Sequence, residues 1–227
     1  MTRAVIPVLA AALAALVLAG CGTTGATGIT NGSSGTVVAG PGVQTGAPPW
    51  KPEYAHIQRR MRVLNLPRPG SEKFHIHELL HIYDDGLLVS VPGNIGIDER
   101  QHVESALHTH FNSPGVIHME ADKPFAATLG EFFDVWGVAL GPDHVGGLKA
   151  TSDKPLHVFV NGKPITDPAA HVLRKNDNIV IAYGSLAGVP RIPDTTALDD
   201  ANGTGRNPGP CSIGTGAKKR TKCFLDQ

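Results

Sequence analysis

Residues 105–137, SALHTHFNSPGVIHMEADKPFAATLGEFFDVWG, decide the fold of this chain because they have the pattern of two short strands followed by a helix. Alternation along the first strand puts His108 and His110 on one face, and alternation along the second puts His118 and Glu120 on one face. Turn-forming residues fill the loop between the strands. If that loop closes a hairpin, His108 faces His118 with Cβ atoms about 5 Å apart, which is close enough to share a metal ion.

The helix that follows has its own start and stop signals. Thr128 and Glu131 have the spacing of a capping box, in which each side chain bonds the other residue's backbone amide. Gly137 is a suitable residue for the C-terminal end. Between these signals the apolar residues recur at the spacing of one helix face, at Leu129, Phe132, Phe133 and Trp136. The pattern predicts a short amphipathic helix that packs on a sheet.

A second histidine-bearing element precedes this stretch. The strand pattern FHIHELLHIY at residues 74–83 puts His75, His77 and His81 on one face. Asp-Asp-Gly then signals a tight turn before a returning strand at residues 87–91. The sequence therefore predicts two hairpins, each with a histidine-rich face.

The order of these patterns predicts an α+β fold, with a mostly antiparallel sheet built from hairpins and one short packed helix. Residues 156–160 alternate and run into Asn-Gly, a strong hairpin signal, while residues 179–183 are apolar, as in an inner strand. Hairpin, helix and hairpin in this order predict a β-grasp-like unit over residues 105–184, which the hairpin at residues 74–91 extends or covers. Residues 50–66 have a helical pattern with their arginines on a solvated face.

Composition divides the chain into four parts. Residues 1–20 combine one charged side chain with a short apolar run, as signal peptides do, and residues 21–49 are an uncharged, disordered linker rich in Gly, Thr and Ser. Residues 50–185 form the folded histidine-rich domain, which is long enough for one ordinary core. Residues 186–227 are expected to form an irregular, disordered tail.

The end of the apolar run, Leu-Ala-Gly-Cys at residues 18–21, resembles the lipobox of bacterial lipoproteins. The resemblance implies export, cleavage before Cys21 and attachment of lipid to that residue. Each buried methylene of an acyl chain contributes about 0.8 kcal/mol, so several chains anchor a protein stably. The mature protein is therefore expected at the cell membrane, lipid-anchored and facing the extracytoplasmic side.

Two further cysteines, Cys211 and Cys223, lie in the tail. Because the exported compartment is oxidising, the simplest expectation is a disulfide between them. Metal ligation by the pair is the alternative.

Charge and motifs narrow the possible partners. The chain has 20 basic and 20 acidic residues, so it lacks the positive footprint of a nucleic-acid-binding protein. Its glycine-rich runs belong to linkers, and no phosphate loop, dinucleotide fingerprint or nucleophile elbow occurs. The expected partners are the membrane, through the lipid anchor, and an envelope protein.

Several short motifs together resemble a family of exported or membrane-anchored bacterial and archaeal proteins. They are FHIH at 74–77, PGNIGI at 92–97, LHTH at 107–110, GVIH at 115–118, LGEFFDVWG at 129–137 and VNGK at 160–163. The resemblance spans residues 73–184 and implies the boundaries of a domain, without an activity. The chain departs from the family pattern at Phe111, where Asp is usual, and at Ala121, where Ser is usual.

The histidine-rich faces are the candidate site. Neutral imidazole is the commonest metal ligand, and histidines without a thiolate suit copper or zinc. The candidate ligands are His75, His77, His81, His108, His110 and His118, with Glu120 as an acidic site residue.

Three functions remain open from the sequence. The first is a lipid-anchored, non-catalytic metal-binding module. The second is a structural or interaction lipoprotein whose histidines are merely polar residues of a half-exposed sheet. The third is a metal-dependent enzyme with Glu120 or Glu78 as the base for a metal-bound water.

Overall fold

The structure is a computed structural model that describes residues 40–70 and 73–189. The predicted signal peptide, residues 21–39 of the linker with Cys21, and residues 190–227 of the tail with Cys211 and Cys223 lie outside the described residues. Within these residues the helices and strands, in chain order, are α1 (Ile57–Leu64), β1 (Phe74–Asp84), β2 (Leu87–Val89), β3 (Ile97–Asp98), β4 (Val103–Glu104), β5 (Leu107–His108), β6 (Val116–Ala121), α2 (Leu129–Trp136), β7 (Leu140–Gly141), β8 (His144–Val145), β9 (Leu148–Lys149), β10 (Leu156–Val160), β11 (Lys163–Ile165) and β12 (Asn178–Tyr183).

A seven-stranded sheet carries the fold, in the order β11-β10-β12-β1-β6-β5, with β2 paired to the end of β1. Strands β1 and β12 run parallel, and the other pairings in this sheet are antiparallel. Helix α2 lies in the connection between β6 and β10. The α+β class and the mostly antiparallel sheet are confirmed, and α1 lies within residues 50–66, where the sequence has a helical pattern.

The β-grasp-like arrangement begins at a different strand from the one that the sequence suggested. The parallel pair β1 and β12 lies at the centre, and each has an antiparallel neighbour, β6 and β10 respectively. The sequence placed β1 in an added hairpin, whereas the structure makes it the central strand. The physical reason is that β1, with 11 residues, offers the longest row of backbone groups, and most of its side chains are buried.

Helix α2 has the ends that the sequence predicted. Glu131 N donates to Thr128 Oγ1 at 3.1 Å, and Thr128 N donates to Glu131 Oε2 at 2.7 Å, which completes the capping box. Gly137 ends the helix in the left-handed conformation with φ of 79°. The apolar face is fully buried in the main core cluster, through Leu129, Phe132, Phe133 and Trp136.

The sheet has two different faces. The face that packs with α2 is apolar, with Ile76, Leu80 and Ile82 from β1 in or against the core cluster. Because side chains alternate along a strand, the intervening residues His75 and His77 lie on the opposite face. The core on one side therefore fixes which side chains meet on the other.

The chain before α1 is fastened to the domain beside α2. Gln44 N donates to Gly137 O at 2.8 Å, and Ala139 N donates to Gln44 O at 3.2 Å. The Trp50 ring packs edge-to-face on Trp136, with ring centroids 6.0 Å apart. Residues 40–49, at the end of the predicted linker, therefore contact the folded domain.

Helix α1 buries one of its arginines, contrary to the expectation of a solvated face. The Arg60 side chain is 1% exposed, pairs with the Glu53 carboxylate, and donates from Nη2 to Glu53 O at 2.6 Å. Burial alone raises the pKa of Glu53, but hydrogen bonds with His56 and Arg60 hold it below its usual value. Neither helix of the described residues is long and apolar enough to cross a bilayer.

Replacing Arg60 by methionine is expected to lower the free energy of unfolding by about 1–3 kcal/mol, because it removes the buried cation that pairs with the part-buried Glu53 carboxylate and donates to Glu53 O. Urea unfolding followed by circular dichroism measures the change. Arg62→Met, on the same helix, is the matched control and should leave stability nearly unchanged. Equal effects of the two substitutions would contradict the structural role of Arg60.

Candidate metal centre

Three histidines on neighbouring strands form a row across the sheet. His118 on β6 lies between His77 on β1 and His108 on β5, because the strand register pairs it with both. The predicted pairing of His108 with His118 is therefore confirmed. The His118 ring is stacked on that of His108 at 5.3 Å and lies edge-to-face with that of His77 at 4.4 Å.

Glu120 lies at the centre of the histidines. In the register it is opposite His75, the first histidine of β1. Its Oε1 atom is 2.8 Å from His75 Nε2, 3.1 Å from His118 Nδ1, 3.5 Å from His108 Nε2 and 3.7 Å from His110 Nε2. Four ring nitrogens thus converge on one carboxylate oxygen.

The residues form two overlapping groups whose ligand atoms all lie within 4.8 Å of one another. The first group contains His108, His110, His118 and Glu120, and the second contains His75, His77 and His118. In the first group, His108 Nε2 and His110 Nε2 are 3.2 Å apart. Nitrogens that bind one zinc ion at 2.0–2.1 Å in a tetrahedron are about 3.3 Å apart. The spacing of the ring nitrogens therefore suits a shared ion.

Burial keeps the central imidazole neutral, and hydrogen bonds keep the carboxylate ionised. Burial lowers the pKa of His118 to about 3, with the neighbouring histidines acting in the same direction against the hydrogen bond to Glu120. Burial by itself raises the pKa of Glu120, but hydrogen bonds with the surrounding histidines outweigh it and hold this pKa far below its usual range. Neutral imidazole and ionised carboxylate are the forms that bind metals.

A backbone carbonyl fixes the orientation of the His108 ring. His108 Nδ1 is 2.9 Å from Ser105 O, and because a carbonyl oxygen only accepts, Nδ1 must carry the hydrogen. In the neutral ring the lone pair is then on Nε2, which is the atom that faces His110 and Glu120. In metal sites an imidazole ligand is commonly oriented in this way, by donating its other ring N–H to a backbone carbonyl.

The loop at residues 92–96 holds the two ligands of the HTH motif in place. Thr109, between them, exchanges backbone hydrogen bonds with the loop, from Thr109 N to Ile95 O at 3.0 Å and from Asn94 N to Thr109 O at 2.8 Å. Its hydroxyl accepts from Ile95 N at 3.0 Å and donates to Pro92 O at 2.9 Å.

Glycine is required where this loop crosses the strand. A Cβ atom at Gly96, whose φ is 79°, would lie 2.5 Å from Leu107 O. One at Gly93 would lie 2.6 Å from His110 O. The PGNIG sequence is thus explained by close contact with the strand that carries the histidines.

Replacing Thr109 by valine is expected to weaken metal binding about tenfold, as outer-shell changes do, although Thr109 touches no ion. The substitution keeps the side-chain shape but leaves Ile95 N and Pro92 O without their hydroxyl partner. Competition with a chelating dye measures the affinity. Thr109→Ser, which retains the hydroxyl, should bind like the parent chain, and equal affinities for all three would contradict the positioning role.

The centre includes five of the six predicted histidines together with Glu120. His81 is buried on the same face of β1 but pairs with Val180 on β12 and belongs to neither group. Glu78, the other candidate base, is fully buried on the central strand β1, and alternation puts it on the face opposite the histidines.

Sequence reasoning missed the residues that orient the ligands. Ser105 acts through its backbone, which no side-chain pattern reveals. Thr109 is not a residue type that a metal-ligand pattern singles out. The Thr between two histidines and the distant PGNIG sequence were visible separately, but only the fold brings them together.

The centre reaches solvent at one end. The His110 side chain is 39% exposed, while His108 and His118 are buried. The adjacent Phe111, in the turn after the HTH motif, is 82% exposed. His110 is therefore the most exposed side chain of the cluster.

This constellation defines a candidate transition-metal site built from imidazoles and one carboxylate on the face of a β-grasp-like sheet. No protein-family model, curated protein or solved structure matches the chain.

Proposed function

We propose that this protein is a non-catalytic metal-binding module that holds a copper or zinc ion through His108, His110, His118 and Glu120. The observation that carries the proposal is the convergence of the ring nitrogens on Glu120 Oε1. When the His108 ring carries its hydrogen on Nδ1 alone, the Nε2 lone pair faces this carboxylate, and a cation between them replaces repulsion with two favourable bonds.

The donor set supports copper or zinc over harder ions. Imidazole nitrogens suit copper and zinc, whereas magnesium and calcium prefer several carboxylate or carbonyl oxygens. The first group supplies three imidazoles and one carboxylate. Four donors match the usual coordination number of a structural zinc site.

A ligand role suits Glu120 better than a catalytic one. A general base is most effective when its pKa is near the working pH. Hydrogen bonds with the histidines hold the pKa of Glu120 far below that range despite its burial. The ionised carboxylate is the form that binds a metal ion, which supports a ligand role for Glu120.

The lipid anchor is the second part of the proposal. Cys21 after a short apolar run is the feature that supports attachment at the cell membrane, with the metal-binding domain on the extracytoplasmic side. The resemblance to exported and membrane-anchored proteins supports the same placement. With Cys21→Ala, the protein should move from the membrane fraction to the soluble fraction, and retention in the membrane would contradict lipid attachment at this residue.

Metal titration of the purified full chain, without a histidine tag, tests the metal-binding part. Copper and zinc should bind stoichiometrically to the parent chain, and His108→Ala/His110→Ala should bind at least one equivalent less. His144→Ala/His157→Ala removes the same number of imidazoles outside the cluster and should retain binding. Circular dichroism verifies that each variant is folded. Absence of binding by a folded parent chain would overturn the proposal and favour the interaction lipoprotein.

A further inference from the structure

Two histidines of the cluster are not used by the four-residue ion site. His75 and His77 lie on β1, on the other side of His118 from His108 and His110. Their Nε2 atoms are 2.9 Å apart, and His75 Nε2 is 3.2 Å from His118 Nδ1. These separations are close to the edge of about 3.3 Å expected for nitrogens around one ion.

Hydrogen bonding alone does not account for the contacts at His75. Its Nε2 atom is in contact with three acceptor-capable atoms, Glu120 Oε1 at 2.8 Å, His77 Nε2 at 2.9 Å and His118 Nδ1 at 3.2 Å. A ring nitrogen carries at most one hydrogen. A cation among these atoms would attract the lone pairs of all of them at once.

Glu120 connects the two halves of the cluster. Its Oε1 atom contacts His75 on the β1 side and lies within 3.7 Å of His108 and His110 on the β5 side. A second carboxylate is near, because Glu104 Oε1 is 3.9 Å from His108 Nε2. Two acidic groups therefore offset part of the charge of two ions.

We infer that a second transition-metal ion binds beside the first, held by His75 and His77, with Glu120 shared between the two ions. This inference rests on the proposed metal-binding function and extends it to a two-ion centre. Ions that share ligands in such centres are about 3.5–4 Å apart. The strand register sets the arrangement, because His118 has a histidine opposite it on both sides.

Copper titration of the full chain, with elemental analysis after desalting and electron paramagnetic resonance, tests this inference. The parent chain should bind two equivalents of Cu(II), with a signal weaker than its copper content because neighbouring ions couple magnetically. His77→Ala and the more exposed His75→Ala should each bind one equivalent and show a full uncoupled signal. His144→Ala is the matched control and should bind two.

The outcomes separate this inference from the proposed function. One equivalent in the parent chain, lost in His108→Ala/His110→Ala and retained in His77→Ala, would overturn the second ion and leave the first. One equivalent that is lost both in His108→Ala/His110→Ala and in His77→Ala would mean that a single ion is bound by both groups, which also overturns the second ion. Absence of binding would overturn both proposals. Circular dichroism of His75→Ala and His77→Ala verifies that both variants are folded.

Discussion

Replacing His118 by alanine is expected to abolish stoichiometric metal binding and to lower the affinity at least about 100-fold. This loss equals or exceeds the largest effects of changing residues that support a ligand without touching the ion. His118 is the only residue that belongs to both groups of the cluster found among the described residues. It is buried between His77 and His108, so no solvent ligand easily takes its place. Competition with a chelating dye measures the affinity for copper and for zinc.

The comparison with His110→Ala makes this prediction specific. His110 belongs to one group and is partly exposed, so water can occupy its position and the loss should be smaller. His144→Ala, in the β8 hairpin, should have the affinity of the parent. Equal affinities for His118→Ala and His144→Ala would contradict the central position of His118.

Replacing Trp136 by alanine is expected to lower the free energy of unfolding by about 3–5 kcal/mol, because it leaves a cavity in the interior. The Trp136 ring is fully buried and packs against the rings of Trp50, Phe132 and Phe133. These contacts join the α2 helix to the segment before α1. Urea unfolding followed by circular dichroism measures the loss.

Val63→Ala is the control for the loss of an apolar side chain at an exposed position. Val63 lies on α1 and is 52% exposed, so its removal should change stability little. A small effect of Trp136→Ala, similar to that of Val63→Ala, would mean that α2 does not anchor the core. Metal affinity of folded Trp136→Ala should be close to that of the parent, since the ligands lie on the opposite face of the sheet.

Features that depend on neighbouring residues could be predicted from the sequence. The Thr128 and Glu131 capping box and the end of α2 at Gly137 follow from side-chain chemistry within one helix. The pairing of His108 with His118 follows from alternation and a short loop. In these cases the interacting groups are close in the chain, so few alternative arrangements compete.

Strand order could not be predicted in the same way. The pairing of β1 with β6 and with β12 joins residues far apart in the chain, and alternation gives the same pattern for a central strand and an edge strand. This pairing brings His75 and His77 to Glu120. The two predicted histidine-rich hairpins therefore form one centre. No local sequence pattern indicates this long-range pairing.

Strand geometry explains why His81 lies outside the cluster. His77 and His81 share a face, but a strand rises about 3.3 Å per residue, so four residues separate their backbones by about 13 Å. His81 lies where β1 pairs with β12, opposite Val180. A shared face thus brings together the histidines two residues apart, His75 and His77, and not the third.

X-ray absorption spectroscopy of the full chain loaded with one equivalent of zinc reports the atoms around the ion and therefore tests the histidine and Glu120 site. Nitrogen and oxygen ligands are expected at about 2.0–2.1 Å, with the outer-shell scattering of imidazole rings. The same features should be lost in His108→Ala/His118→Ala. Sulfur ligands at about 2.3 Å would instead place the ion at cysteine and contradict the histidine and Glu120 site.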